Sequence, residues 1–71
     1  MTNNLYDKYY ASKWTSKKKI NGWRHYEVRN IFIKKQSLEI FSVCDKKNSF
    51  IIKISEINDR ENWIPGWKEI V

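Results

Sequence analysis

Trp14-Thr15-Ser16-Lys17-Lys18-Lys19-Ile20-Asn21-Gly22-Trp23-Arg24-His25-Tyr26-Glu27-Val28 is the stretch that decides the fold. Asn-Gly between two extended runs is a strong β-hairpin signal, because both central positions of a type I′ turn need positive φ. The turn pairs Trp14–Ile20 with Trp23–Arg29. In the simplest register Ile20 faces Trp23, Lys18 faces His25 and Lys19 faces Arg24. One face then carries Trp14, Ile20 and Trp23, with Ile31 and Ile33 further on. The other carries Lys17, Lys19, Arg24, Tyr26, Val28 and Phe32. Neither face is uniformly apolar, so the pattern predicts a bend or bulge near Arg29-Asn30.

Working outward, Ser37–Cys44 alternates. Leu38, Ile40, Ser42 and Cys44 point one way, and Glu39, Phe41 and Val43 the other. Asp45-Lys46-Lys47-Asn48 reads as a four-residue hairpin loop, with Asn48 suited to a left-handed position. Ser49–Ile54 carries apolar side chains on both faces and is predicted to be a central strand. Asn58-Asp59-Arg60-Glu61 has a cap, early acids and a Glu three residues on, which predicts one helical turn. Ile64-Pro65-Gly66-Trp67 fits a type II turn that brings Trp63 and Trp67 together. The fold class expected is mainly β: a three- to four-stranded antiparallel meander or open SH3-like barrel, with a short C-terminal helical turn. Residues 1–11 are expected to form a flexible N-terminal arm, and 12–71 a single tryptophan-rich β domain.

The chain has 71 residues and is 41% hydrophobic, enough for one modest core. Aromatic and β-branched residues favour sheet over helix. No apolar run exceeds three residues, as in Ile31-Phe32-Ile33, which predicts neither a signal peptide nor a membrane span. One cysteine allows no intramolecular disulfide, consistent with a cytoplasmic protein. Fourteen Lys+Arg against eight Asp+Glu give a net charge of +6. Residues 1–35 hold nine basic and two acidic side chains (9 − 2 = +7), and residues 36–71 hold five and six (5 − 6 = −1). A clustered positive field attracts polyanions.

Candidate chemistry is sparse. His25 and Cys44 are the single His and Cys, too few for a zinc site, and no spacing marks them as a dyad. They read as a half-exposed imidazole and a packed thiol. Two glycines cannot form a phosphate loop. No catalytic residue, metal ligand, cofactor or small-molecule substrate is predicted, and the chain reads as a non-enzyme.

The basic residues are more informative. In the simple register Lys19 lies opposite Arg24, with Lys17 diagonal to Arg24 on the same face. Like charges opposed on a sheet destabilise it, so an anion is expected over them. The plainer alternative leaves Lys17–Lys19 in a loop pointing into water. Basic residues interleaved with aromatics suit a single strand of nucleic acid. The candidate binding residues are Lys17, Lys18, Lys19, Arg24, Lys34 and Lys35 for phosphates, with Trp23 and Tyr26 for stacking. RNA is the favoured partner. The alternative is an acidic protein, gripped by tryptophans and basic side chains. A membrane surface ranks last, because no basic amphipathic helix is present. Trp63 and Trp67 are assigned to the core, and Trp14 and Trp23 to a partner-facing surface.

Ser12-Lys13-Trp14-Thr15, residues Asn21 to Val28, Val43-Cys44-Asp45, Asp59-Arg60, Trp63 and Pro65-Gly66-Trp67 together resemble a bacterial family of small tryptophan-rich conserved hypothetical proteins, a domain of unknown function. The resemblance runs from about Ser12 to Lys68. It implies a compact cytoplasmic domain and assigns no functional residue. Leu5-Tyr6-Asp7 and Ile64-Pro65 also resemble the two ends of an SH3 domain. The paired tryptophans and acidic loop of a peptide-binding SH3 are absent, so proline-rich peptide recognition is not implied.

Overall fold

The computed structural model describes residues 4–69, with side chains from residue 6 onward. Residues 1–3 of the expected arm lie outside the described residues. The chain forms α1 (Asn4–Tyr9), β1 (Lys13–Ile20), β2 (Trp23–Phe32), β3 (Ser37–Ser42), β4 (Ser49–Lys53), α2 (Ile54–Ile57) and β5 (Trp63–Pro65). The strands make one antiparallel sheet in the order β4-β3-β2-β1-β5. The first four strands are the expected meander. The fifth returns across the molecule to pair with β1, so Ser16 meets Trp63 and Trp14 meets Pro65. β4 and β5 both remain edges, and the sheet is open rather than barrel-like.

Asn21 and Gly22 take φ of 52° and 87°, as a type I′ turn requires, and Ile20 pairs with Trp23. Beyond the turn the simple register fails. Thr15 pairs with His25 and Trp14 with Tyr26. Four β1 residues, Ser16 to Lys19, therefore stand against Arg24 alone, an excess of three. An odd excess reverses which face the rest of β1 presents. It moves Trp14 from opposite Arg29 to opposite Tyr26, onto the face that also buries Val28. Burying a Trp is worth about 3–5 kcal/mol, more than an irregular ladder costs where its freed carbonyls find partners. They do here. Arg24 Nη1 donates to the Ser16 carbonyl (3.3 Å) and to the Lys17 carbonyl, and Ser16 Oγ donates to the Lys18 carbonyl. A second register shift falls between Val28 and Asn30, where a bulge was expected.

One face of the sheet holds the core: Tyr9, Trp14, Tyr26, Val28, Leu38, Ile40, Ile52, Ile57 and Trp63. Leu38, Ile40 and Ser42 share that face as their alternation predicts. Tyr26 sits at its centre, edge-on to Phe50 and Trp63 at 5.6 and 5.8 Å. Burial holds its phenol pKa above the ordinary tyrosine value, and its hydroxyl donates to the Ile20 carbonyl at 3.0 Å.

Several expectations are corrected. Within the expected N-terminal arm, residues 4–9 form α1. Tyr9 is buried against Trp14, with 6.4 Å between ring centroids, and its hydroxyl accepts from Asn58 Nδ2 at 2.8 Å. β4 is an edge strand, not a central one, and Ile51 is 63% exposed. The helical turn is Ile54–Ile57, ahead of the expected cap. Asp59 instead closes a tight turn, accepting from the Glu61 and Trp63 backbones. Asp45–Asn48 is a turn closed by the Asn48 amide, but left-handed φ occurs at Ala11 and Gln36 rather than at Asn48. Cys44 is exposed in that loop rather than packed in a strand. Gly66 takes φ +82°, as the type II reading requires. Trp63 and Trp67 nonetheless diverge: Trp63 enters the core, whereas Trp67 is 43% exposed. No described helix is long and apolar enough to cross a membrane.

Candidate nucleic-acid interface

The eight residues expected to bind nucleic acid separate into four environments. Lys17, Lys18 and Lys19 form the extruded part of β1 and are all exposed. Trp23, 36% exposed, flanks them just past the turn. Arg24 points back into the bulge, where its guanidinium holds backbone carbonyls. It does not oppose Lys19, and the like-charge ladder that called for an anion does not exist. Tyr26 is fully enclosed and offers no ring face to a base. Lys34 and Lys35 lie in the β2–β3 turn, which Gln36 closes with φ 48° and a bond from its amide to the Ile33 carbonyl. That turn is at the far end of β2, a ten-residue strand of roughly 33 Å.

The structure brings together residues that the sequence reading kept apart. In an antiparallel meander alternate turns share one end of the sheet. Here Asn21 Nδ2 donates to Asn48 Oδ1 at 3.2 Å, tying the β1–β2 turn to the β3–β4 loop. Exposed Lys46 and Lys47 of that loop thereby join the end that carries Lys17–Lys19. The meander expected from sequence was the signal for this. The weakly negative balance of residues 36–71 hid it, because that sum also counts acids such as Glu39, which lies on the other face beside Arg29. Below the bulge lies an open cavity of about 300 Å³, floored by Ile20 and Trp63 and bordered by Lys18, Glu56 and Asp59.

The sheet's second face is less covered than the first, and the C-terminal segment crosses it. Thr15, fully buried, is the clamp. Its hydroxyl donates to the Gly66 carbonyl at 2.7 Å and accepts the Lys68 amide at 2.9 Å. His25 Nε2 donates to the Lys68 carbonyl at 2.9 Å, which fixes the imidazole in a structural contact. Trp67 Nε1 donates to the Tyr26 carbonyl, and the Lys13 ammonium lies 5.1 Å from the Trp67 ring centre. Arg29 lies 5.1 Å from the Phe41 ring centre and pairs with Glu39 at 2.9 Å. The Arg29 hydrogen bond, then that from Asn30, hold the Glu39 carboxyl below its ordinary pKa. Glu27 and Glu39 set acidic side chains among the basic ones on this face.

Together these features define a single-layer antiparallel β domain with one packed face, one exposed face and a lysine-rich loop end. The chain belongs to the tryptophan-rich protein family DUF2389, which it matches over residues 12–68. That span contains all four tryptophans. The family is one of unknown function, so it transfers no site residue. No curated protein and no solved structure matches significantly.

Proposed function

We propose that this protein is a non-catalytic cytoplasmic module that binds single-stranded nucleic acid, RNA in particular, at the loop end of its sheet. The observation that carries the proposal is the convergence of Lys17–Lys19 and Lys46–Lys47 beside the half-exposed ring of Trp23. Ammonium groups on the β1 bulge and the adjoining β3–β4 loop suit successive phosphates, and the indole suits one stacked base, worth about 1–3 kcal/mol. The reading reassigns part of the expected site. Lys46 and Lys47 enter, Arg24 and Tyr26 become structural, and Lys34 and Lys35 are too remote to share a short strand with Lys17.

Titration of a labelled single-stranded RNA across a salt series tests this. Each phosphate contact on a single strand contributes about −0.7 to the log–log salt slope. Replacing Lys17, Lys18 and Lys19 with Ser is expected to make the slope shallower by about 2. Trp23→Ala should weaken binding while leaving the slope in place. Lys34→Ser with Lys35→Ser should change little. An unchanged affinity and slope in the triple variant would remove the assigned site.

The exposed face favours a second reading, docking of a protein partner. Half-exposed Trp67 and the Arg29–Phe41 pair sit there with the Arg29–Glu39 ion pair, and aromatic and Arg side chains are enriched at protein interfaces. Trp14, first assigned to such contacts, is in the core, and Trp67 takes its place. A complex that survives nuclease treatment and is lost in Trp67→Ala would favour docking.

A further inference from the structure

β4 presents a strand edge whose register can be read from its hydrogen bonds. The Ser42 amide donates to the Asn48 carbonyl, and the Ile54 amide donates to the Gln36 carbonyl. Between them Ile40 pairs with Phe50 and Leu38 with Ile52. In an antiparallel ladder the bonded pairs recur every second residue. Phe50 and Ile52 therefore spend their peptide groups on β3. Ser49 and Ile51 turn both N–H and C=O to the open side, and Lys53 turns its N–H there. Ile51 is also the most exposed large apolar side chain among the described residues, at 63%.

We infer that β4 pairs with β4 of a second copy of this chain, antiparallel and centred on Ile51. In this register Ile51 faces its own symmetry mate, and the two residues exchange both backbone bonds. Each Lys53 amide meets the partner's Ser49 carbonyl, which makes four bonds in all. The two Ile51 side chains meet directly across the pair on the exposed face, within cross-strand contact distance. Charge selects the antiparallel sense. It places Lys53 opposite Ser49 and holds the two ammonium groups about 13 Å apart along the strands. A parallel pairing would set them side by side.

The other edge explains why the pairing closes. β5 has three residues and ends in Pro65, which has no N–H to donate. Joining β4 of one copy to β5 of the next would build an open filament. That route is blocked, and the self-pairing of β4 gives a closed two-fold dimer with a continuous ten-stranded sheet. A five-residue strand spans only about 17 Å. The contact is well short of the ~1,200 Å² typical of stable interfaces, so the dimer is expected to form in the micromolar range or above. The inference does not rest on the nucleic-acid reading, because it uses none of the lysines at the loop end.

Sedimentation velocity on the whole protein from about 10 μM to 1 mM, paired with amide exchange, tests it. The expected result is a monomer–dimer equilibrium, with the Ile51 and Lys53 amides gaining protection as concentration rises. Ile51→Pro removes one donor per copy, hence two bonds per dimer, and should weaken association at least about tenfold. Ile51→Thr keeps the amide, removes the apolar contact and should weaken association less. Far-ultraviolet circular dichroism confirms that each variant folds. A monomer at every concentration overturns the inference. So does a dimer that Ile51→Pro and Ile51→Thr both leave intact, or protection that appears on β5 instead.

Discussion

The Tyr26 ring lies between Phe50 and Trp63, and its hydroxyl ends on the Ile20 carbonyl beside the hairpin turn. One side chain thus anchors both the core and the turn that displays the lysines. Removing that hydroxyl in Tyr26→Phe is expected to cost about 1 kcal/mol near neutral pH. The pH dependence has a definite sign. The folded pKa is raised, so the contribution is complete below the ordinary tyrosine pKa. It declines as pH rises from that value through the raised one, because the unfolded chain ionises first. Urea unfolding of wild type and Tyr26→Phe at several alkaline pH values should show the variant falling less steeply. The tryptophans carry a related lesson. Proximity in sequence to the lysines suggested a surface role for Trp14 and Trp23, yet Trp14 is in the core and Trp67 is outside it. Side-chain chemistry does not separate the two sorts of Trp; for Trp14 strand parity does, and three residues in β1 invert it.

Those three residues are the element that sequence reading missed most. The Asn21-Gly22 turn, the Leu38/Ile40/Ser42 face and the bulge near Asn30 were all legible, because each depends on local conformation or period-two alternation. The β1 bulge depends on a non-local balance between burying Trp14 and opening the ladder, and nothing within β1 records it. β5 was invisible for a similar reason. Three residues ending in proline form no pattern, and their partner lies about 50 positions earlier. Arg24 provides the test at this scale. If its planar fork holds the Ser16 and Lys17 carbonyls, Lys is no substitute, although the charge is kept. Arg24→Lys is expected to speed amide exchange across residues 16–19 as much as Arg24→Met does, and to destabilise the domain by about 1–3 kcal/mol. Exchange that stays slow in Arg24→Lys would assign Arg24 a purely electrostatic role.

A single sheet with one covered face gives the whole molecule a flattened shape of 41 × 25 × 16 Å. A layer this thin depends on whatever caps its packed side, and α1, α2 and Trp63 do so. Tyr9→Ala removes the buried ring of α1 and the acceptor for Asn58. It is expected to cost about 3–5 kcal/mol, a large share of the stability of a domain this size. Thermal unfolding followed by circular dichroism would register a fall of well over 10 °C. The candidate site belongs to this scale too. The lysines at 17–19 and 46–47 meet through the meander, whereas Lys34 and Lys35, closer in sequence to Lys19, lie at the opposite end.

The pairing of β5 with β1, and the clamp of Thr15 on Gly66 and Lys68, also bear on how the chain is made. On a ribosome, β1 to β4 emerge in order, each finding its partner in the strand just before it. β1 waits throughout with one side unpaired and its threonine hydroxyl without a peptide to hold. The last of the described strands, β5, is the one that the first strand needs. Completion of this sheet therefore waits for residues 63–66, and a polypeptide stalled before them would expose a bare β1 edge to its neighbours.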